Sequence, residues 1–233
     1  MKHYLLSSIA LTAISVAASA QVKYHLNFGA QNSNFRGDGM QLINKLADIS
    51  GDYLKQGSYT SYYAGLSVNI PIAEHFSIEP GLQYSKTGAT LTGNLAFKAL
   101  SLLGVHAGVK AVSHRVEIPL LLKAEVAKGL YLVAGPQVNY SYNNNLQLKA
   151  GILGINAINK KIDIDNLYEP FSAAALGGIQ YQFPGGMQVQ ALYEYGLSKI
   201  VNNGSMNLYQ NNMKIGIGIP LNFLSKNREE SYY

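Results

Sequence analysis

The chain has 233 residues, a formal net charge of +5, and neither cysteine nor tryptophan. The lack of cysteine excludes a disulfide framework and a Cys-based zinc site. Charged residues make up only 13% of the sequence, against about 25% in an average soluble domain. The basic residues are scattered rather than clustered, so the composition does not indicate nucleic-acid binding.

The first twenty residues predict a secretory signal peptide. Lys2 provides a short basic region, Leu5–Val16 an apolar core, and Ala18–Ala20 the small-x-small pattern that signal peptidase cleaves. The apolar core is shorter than the roughly 20 residues that a spanning helix needs, which disfavours an N-terminal anchor. The predicted mature chain therefore begins at Gln21.

The rest of the chain is dominated by stretches in which every second residue is apolar. This period of two predicts β-strands with one apolar face and one polar face. The clearest stretch ends at Phe223, where Ile215, Ile217 and Ile219 alternate with polar residues or glycine. The predicted strands are Val22–Gln31, Ser61–Ile72, Phe76–Ser85, Arg115–Val126, Leu130–Asn143, Phe171–Phe183, Met187–Ser198 and Met213–Phe223.

The connections between these strands alternate strictly between long and short. The short ones are 73–75, 127–129 and 184–186, and the long ones are 32–60, 86–112, 144–170 and 199–210. An up-and-down meander produces this pattern when one end of a barrel carries tight turns and the other carries large loops. Short periplasmic turns and long extracellular loops are typical of outer-membrane barrels.

The polar face of the strands predicts which way the apolar face points. It is rich in Gly, Ser, Asn and Gln and carries few charges, which suits a narrow lumen better than a water-exposed outer wall. Aromatic residues lie near the strand ends of the apolar face, as in the girdles of membrane barrels. We therefore predict an all-β fold, a transmembrane up-and-down antiparallel β-barrel of about eight strands over residues 21–224. A polar C-terminal tail would follow at 225–233. The alternative to the membrane barrel is a secreted lipocalin-like barrel with its apolar face inward.

Several segments also resemble a known family. Phe76–Gly88 and the hairpin Val116–Lys123 with Gly129–Gln137 are similar to segments of the PorT-like, or porin-family, small outer-membrane β-barrel proteins of Bacteroidetes, and Gly218–Phe223 resembles the terminal signal of outer-membrane barrels. The resemblance implies a barrel in the outer membrane of a Gram-negative bacterium, in contact with lipid. It also implies that the outer-membrane assembly machinery reads the terminal segment during biogenesis. The family implies fold and location more than activity.

No catalytic, cofactor or metal site is predicted, and we expect that the protein is not an enzyme. The histidines of the mature chain have no companion at ligand spacing; they are His25, His75, His106 and His114. A Ser-His-Asp arrangement could be assembled from loop residues such as Asp38, Asp48 or Asp163, as in any chain of this size.

Charges on the polar face allow two interpretations: a salt-bridged plug, which the narrow lumen favours, or an ion path. The residues concerned are Glu117, Lys123, Glu125, Glu194 and Lys214.

Three loop segments carry further expectations. Asp38–Ile49 predicts a short capped helix that folds over the barrel mouth or docks a partner, with Met40, Ile43 and Ala47 at helical spacing. The apolar segments Leu95–Val105 and Gly151–Ile158 either continue strands beyond the membrane or form a contact patch.

The sequence thus favours a monomeric outer-membrane barrel with a structural, adhesion or accessory role, and with extracellular loops as the surface for any protein partner. The alternatives are a narrow porin-like channel for small solutes, an enzyme with catalytic groups at the barrel rim, and the secreted lipocalin-like ligand-binding barrel.

Overall fold

The computed structural model describes residues 22–38, 54–93, 106–152, 155–201 and 207–221. Nearly all of these residues lie in strands. The strands are β1 (Lys23–Arg36), β2 (Leu54–Ala73), β3 (Phe76–Gly93), β4 (His106–Ala127), β5 (Leu130–Ile152), β6 (Ile155–Asp163), β7 (Phe171–Gln182), β8 (Gln188–Gly196) and β9 (Tyr209–Pro220). A short 3₁₀ turn, Asp165–Leu167, lies between β6 and β7.

Eight of the strands close into an antiparallel barrel. Their order around the barrel is β1, β2, β3, β4, β5, β7, β8 and β9, and β9 pairs with β1 to complete the circle. At this seam Leu26 lies opposite Ile219, and Phe28 lies opposite Ile217. The predicted up-and-down barrel of eight strands is confirmed. Gly129 and Gly186, both with positive φ, make the tight turns after β4 and before β8 possible.

The predicted long connections are wrong in part, because strand pairing continues well beyond the predicted strand ends. β4 and β5 have 22 and 23 residues, about twice the roughly 9–11 that a membrane crossing needs. Most of 86–112 is therefore strand, and much of 144–170 forms the hairpin of β5 with the additional strand β6. Within Gly151–Ile158, residues 151–152 accordingly continue β5 and residues 155–158 belong to β6. Residues 153–154 lie outside the described residues.

These extensions lack the period-two apolar pattern for a physical reason. Above the membrane neither face of the sheet contacts lipid, so alternation is not required, whereas backbone pairing alone can prolong the ladder. Thr87–Gly93 and Ala107–Ser113 pair continuously although their side chains are mostly small or polar.

The apolar face of the barrel points outward, as predicted. Leu82, Leu122 and Ile215 are 56%, 49% and 54% exposed, whereas the neighbouring polar residues Lys123 and Lys214 are almost completely buried. The lipocalin-like arrangement, with the apolar face inward, is therefore wrong.

Aromatic residues mark both edges of this outward apolar band. On β7, Phe171 and Tyr181 are ten residues apart and both exposed. Ten residues of strand rise ~33 Å, which a tilt of roughly 40° reduces to ~25 Å along the barrel axis. That height matches the apolar band of about 25 Å in outer-membrane barrels.

A glycine pair makes room for one large lumenal side chain. Gly29 on β1 and Gly216 on β9 lie opposite each other. A Cβ at Gly29 would lie 2.8 Å from the Tyr63 ring, and one at Gly216 would clash with the Tyr63 hydroxyl. The Tyr63 side chain, only 1% exposed, therefore extends from β2 into the lumen and packs over the two glycines.

Some predictions fall outside the described residues. These are the signal peptide 1–20, the helix Asp38–Ile49 beyond its first residue, the segment Leu95–Val105 and the tail 225–233. Among the residues that are described, no helix has the length and apolar character needed to cross a membrane.

Candidate functional site: the charged lumen

Four charged side chains form a ring of alternating sign inside the barrel. Arg115 Nη2 lies 2.7 Å from Glu117 Oε1 and 3.2 Å from Glu194 Oε1. Lys214 Nζ lies 2.6 Å from Glu117 Oε2 and 3.0 Å from Glu194 Oε2. Each cation therefore contacts both carboxylates, and each carboxylate contacts both cations. We call these four residues the charged ring.

The charged ring joins walls that face each other. Arg115 and Glu117 come from β4, Glu194 from β8 and Lys214 from β9. In the circular order of eight strands, β4 and β9 are four places apart, which is the largest separation that the barrel allows. The ring therefore crosses the full width of the lumen.

Neutral side chains complete the coordination of the charged ring. The Ser85 hydroxyl donates a hydrogen bond to Glu117 Oε1, and Arg115 Nη1 donates to Gln210 Oε1 at 3.4 Å. Lys214 Nζ lies 5.6 Å from the centre of the Tyr63 ring, and Gln190 Nε2 donates to the Tyr63 hydroxyl at 2.9 Å. Because isolated buried charges are costly, these contacts allow ionised groups to remain inside the lumen.

A second charged group lies nearer the periplasmic turns. Lys123 Nζ is 2.8 Å from Glu79 Oε2, and Ser67 Oγ donates to Glu79 Oε1 at 2.7 Å. Gln188 Nε2, on β8 opposite β3, donates to Glu79 Oε1 at 3.4 Å and to Asn27 Oδ1 at 3.3 Å. We call Lys123 and Glu79 the lower pair.

An apolar layer separates the charged ring from the lower pair on one side of the lumen. It consists of Leu121, Val133, Leu176 and Leu192, all at most 6% exposed, with Tyr131 packed against it. A cavity of about 20 Å³ borders Leu121, Leu176 and Leu192 together with Glu79 and Gln190. This volume accommodates about one water molecule.

The structure brings together four of the five predicted lumenal charges and excludes the fifth. Glu117, Lys123, Glu194 and Lys214 are paired as described, but the Glu125 side chain is 25% exposed and accepts a hydrogen bond from Gly129 N at 3.0 Å. Glu125 has the correct strand parity, yet it lies two residues from the end of β4 and therefore at the rim.

Strand parity also puts Arg115 and Glu79 on the polar face, although neither is among the five charges predicted to interact in the lumen. Both are essential to the charge balance of the lumen, since the Lys, Arg and Glu side chains buried among the described residues comprise three cations and three carboxylates. Strand parity was the available signal. The partners across the lumen depend on the stagger of the strands, which parity does not specify.

A short segment on the extracellular side connects β5 with the residues that follow β8. Asp165 Oδ1 accepts hydrogen bonds from Asn144 N at 2.6 Å and from Asn144 Nδ2 at 2.9 Å, which holds the 3₁₀ turn against β5. Tyr168 follows and pairs with Val201. Burial raises the pKa of Tyr168 to about 12, so its phenol is neutral at physiological pH.

The other candidate residues are not brought together. His25 is buried in β1, His75 is exposed 3.9 Å from Glu125, and the His114 ring bonds to the Tyr84 hydroxyl on the outer wall. Asp38 accepts from Asn207 and Asp163 from Asp165 N; His106 begins β4 and Asp48 lies outside the described residues. In the described part of the chain, no three His, Asp or Glu residues are grouped closely enough to hold a metal ion.

The closed barrel, its outward apolar band and its polar lumen agree with a match to a sequence-family model. The model for the outer membrane protein beta-barrel domain matches residues 16–202. The chain belongs to this family. The protein therefore lies in the outer membrane of a Gram-negative bacterium, and its apolar band faces lipid.

Three solved outer-membrane proteins are similar in structure to this barrel. The attachment invasion locus protein Ail of Yersinia pestis is 13% identical, with a TM-score of 0.40 over 84% of this chain and 96% of Ail. Neisserial surface protein A is 11% identical, with a TM-score of 0.39 over 84% and 96%. OprG from Pseudomonas aeruginosa is 14% identical, with a TM-score of 0.37 over 84% and 94%. No curated protein matches the sequence of this outer-membrane barrel.

Proposed function

We propose that this protein is a monomeric structural barrel whose lumen does not conduct solutes, and whose extracellular wall serves an adhesion or accessory role. The observation that carries the first part is the charged ring. Its members reach from β4 to β8 and β9 with nitrogen–oxygen distances of 2.6 to 3.2 Å. Four fully buried charges held at these distances leave little room for an ion to pass and hold the opposite walls together.

The remaining lumenal side chains support a closed interior. The lower pair adds a second cross-lumen connection through Gln188, and the apolar layer lies between the two charged groups. A permeating ion would have to displace paired charges at two levels and pass the apolar layer on one side of the lumen. Each of these steps is unfavourable in an interior of low dielectric constant.

The extracellular wall supports the proposed adhesion or accessory role. β4 and β5 are about twice as long as a membrane crossing requires, so both extend beyond the membrane. β6 pairs with the extracellular part of β5 and widens this paired surface. Rigid paired strands above the membrane present a defined surface to a protein partner at less entropic cost than mobile loops would. We assign no reaction to the protein. We also propose that the chain is a PorT-like barrel and that the outer-membrane assembly machinery recognises it during biogenesis.

The porin-like channel is the main alternative, because the lumen is polar and contains buried polar atoms without a protein partner, among them those of Gln180. Single-channel recording in planar bilayers separates the two functions. We expect the wild-type protein to insert without discrete conductance steps, with heat-modifiable gel migration as the control for folding. The conducting control is a variant in which the charged ring and the lower pair are all truncated to alanine.

A wild-type conductance whose ion selectivity changes in Glu194→Gln would overturn the closed-lumen proposal in favour of the channel. Silence in the wild type together with conductance in the truncated variant would support it. Trimming or replacing the extracellular part of the β5–β6 hairpin, followed by cell-binding measurements, tests the adhesion role separately.

A further inference from the structure

On the outer wall, an aromatic ladder crosses four neighbouring strands at the extracellular edge of the apolar band. The ring centres of Tyr62 and Tyr84 are 6.2 Å apart, those of Tyr84 and His114 are 6.0 Å apart, and those of His114 and Tyr142 are 6.4 Å apart. The Tyr84 hydroxyl and His114 Nδ1 are hydrogen-bonded at 2.6 Å. The ladder is therefore a connected platform running from β2 to β5.

Two lysines lie on the extracellular side of this ladder. Lys86 is the pairing partner of His114 on β3 and lies two residues beyond Tyr84, about 7 Å farther along the strand. Lys161 on β6 pairs with Gln147, which pairs in turn with Lys110, so these residues share a face of the sheet. Lys86 is level with His114, and Lys161 lies four residues, or ~13 Å of strand, farther toward the extracellular side on the same face.

Neither lysine ammonium group is held in a direct ion pair within the described residues, so both can reach an anionic ligand. The nearest carboxylates on β6 and after it are engaged locally: Asp163 Oδ1 accepts a hydrogen bond from Asp165 N, and Asp165 Oδ1 accepts two from Asn144. We call Tyr62, Tyr84, His114, Tyr142, Lys86 and Lys161 the aromatic–lysine patch.

The position of the patch limits what it can contact. Below it on β3 and β4, Leu82 and Ile118 are 56% and 54% exposed on the lipid-facing surface. A ligand bound at this level therefore contacts exposed aliphatic side chains below, aromatic rings at the membrane interface and lysine ammonium groups above. A phosphorylated glycolipid presents acyl chains, sugar rings and phosphates in that order.

We propose that the aromatic–lysine patch binds the phosphorylated glycolipid of the outer leaflet, with its phosphates on Lys86 and Lys161 and its sugars against the tyrosines. Charge complementarity and the match in height both support this occupant. Binding there is independent of whether the lumen conducts, so this proposal and the closed-lumen proposal can fail separately.

The test measures glycolipid retained by the folded barrel, by native mass spectrometry after reconstitution in phosphatidylcholine with bisphosphorylated lipid A. Lys86→Gln/Lys161→Gln is compared with the matched control Lys23→Gln/Lys128→Gln, which removes the same charge at the periplasmic end. At about 1 kcal/mol per lysine, the patch variant should bind roughly 30-fold more weakly, whereas the control should bind like the wild type. Lys86→Arg/Lys161→Arg should retain binding, and heat-modifiable migration verifies that each variant folds.

Two further arms identify the group that is bound. Dephosphorylated lipid A should be retained as poorly by the wild type as bisphosphorylated lipid A is by the glutamine variant. Inorganic phosphate at millimolar concentration should not displace the glycolipid, because it lacks the acyl and sugar contacts. Equal retention by wild type and patch variant, equal loss in the periplasmic control, or indifference to dephosphorylation would overturn the proposal.

Discussion

Glu117 on β4 and Lys214 on β9 form an ion pair of 2.6 Å between strands on opposite sides of the barrel. The two residues are 97 positions apart in the sequence, and no backbone ladder connects their strands directly. Their contact therefore fixes the cross-section of the barrel in a direction that strand pairing leaves free.

We expect Glu117→Ala to destabilise the barrel by about 3–5 kcal/mol, because it leaves Arg115 and Lys214 buried with one carboxylate between them. Urea unfolding in phospholipid vesicles measures this change. The matched control is Glu125→Ala on the same strand, which removes a partly exposed rim carboxylate that belongs to neither lumenal cluster and should cost no more than about 1 kcal/mol. Equal costs for the two variants would mean that the charged ring contributes no specific stability.

Exchanging the charges within a pair should have opposite results at the two levels of the lumen. In Glu79→Lys/Lys123→Glu the exchanged lower pair restores an ion pair, and the hydroxyl of Ser67 can reorient to accept a hydrogen bond. Most of the stability lost in either single variant should therefore return. Glu117→Lys/Lys214→Glu instead places a lysine beside Arg115 and a glutamate beside Glu194, so the ring no longer alternates in sign.

We accordingly expect a favourable coupling energy in the double-mutant cycle of the lower pair and little recovery in that of the ring. Both cycles use urea unfolding in the same vesicles. Recovery of the ring exchange to the level of the lower pair would show that the four ring charges act as two separate pairs rather than as one unit.

The depth of the apolar band can be tested on β4 with a single type of substitution. Leu120 lies near mid-membrane and Val126 near the periplasmic edge, and both side chains are about half exposed on the outer face. Leu120→Arg should cost about 2–4 kcal/mol and Val126→Arg about 0–1 kcal/mol, because the penalty for an outward arginine depends on depth. Unfolding free energies in vesicles provide the measurement. Equal penalties would place the membrane at a different height on the barrel.

The sequence predicted the transmembrane part of the barrel well because lipid imposes its pattern there. Between residues 116 and 126 of β4, outward positions must be apolar and inward ones must fit a narrow lumen, so parity alone distinguishes Leu120 from Lys123. The extensions of β3 and β4 were not predicted, and β6 was anticipated only as the option that Gly151–Ile158 continues a strand, since no solvent difference between their two faces selects an alternating pattern.

The charged ring could be predicted only in part for a different reason. Parity put Arg115, Glu117, Glu194 and Lys214 on the polar face, but contact among them depends on how far each strand is shifted relative to its neighbours. These shifts add up over the strands between β4 and β9, and the residue pattern of the individual strands does not specify their sum. Glu125, with the same parity, lies at the rim for the same reason.

Arg36 stabilises the seam at which β1 pairs with β9. From the end of β1, Arg36 Nη2 donates to Gly196 O on β8 at 2.5 Å, and Arg36 Nε donates to Asn211 Oδ1 on β9 at 3.3 Å. The guanidinium carbon also lies 4.0 Å from the Tyr195 ring centre and 4.6 Å from that of Tyr209. One side chain thus connects three strands across the closure.

Arg36→Lys should cost about 1–2 kcal/mol, since an ammonium group keeps the charge but cannot reproduce the planar fork or stack on both rings. Urea unfolding reports the cost, and amide exchange should increase at the extracellular ends of β1 and β9. A double-mutant cycle with Tyr195→Leu separates the ring contact from the hydrogen bonds, and we expect a coupling energy of at least about 0.5 kcal/mol. A coupling energy of zero would assign the role of Arg36 to its hydrogen bonds alone.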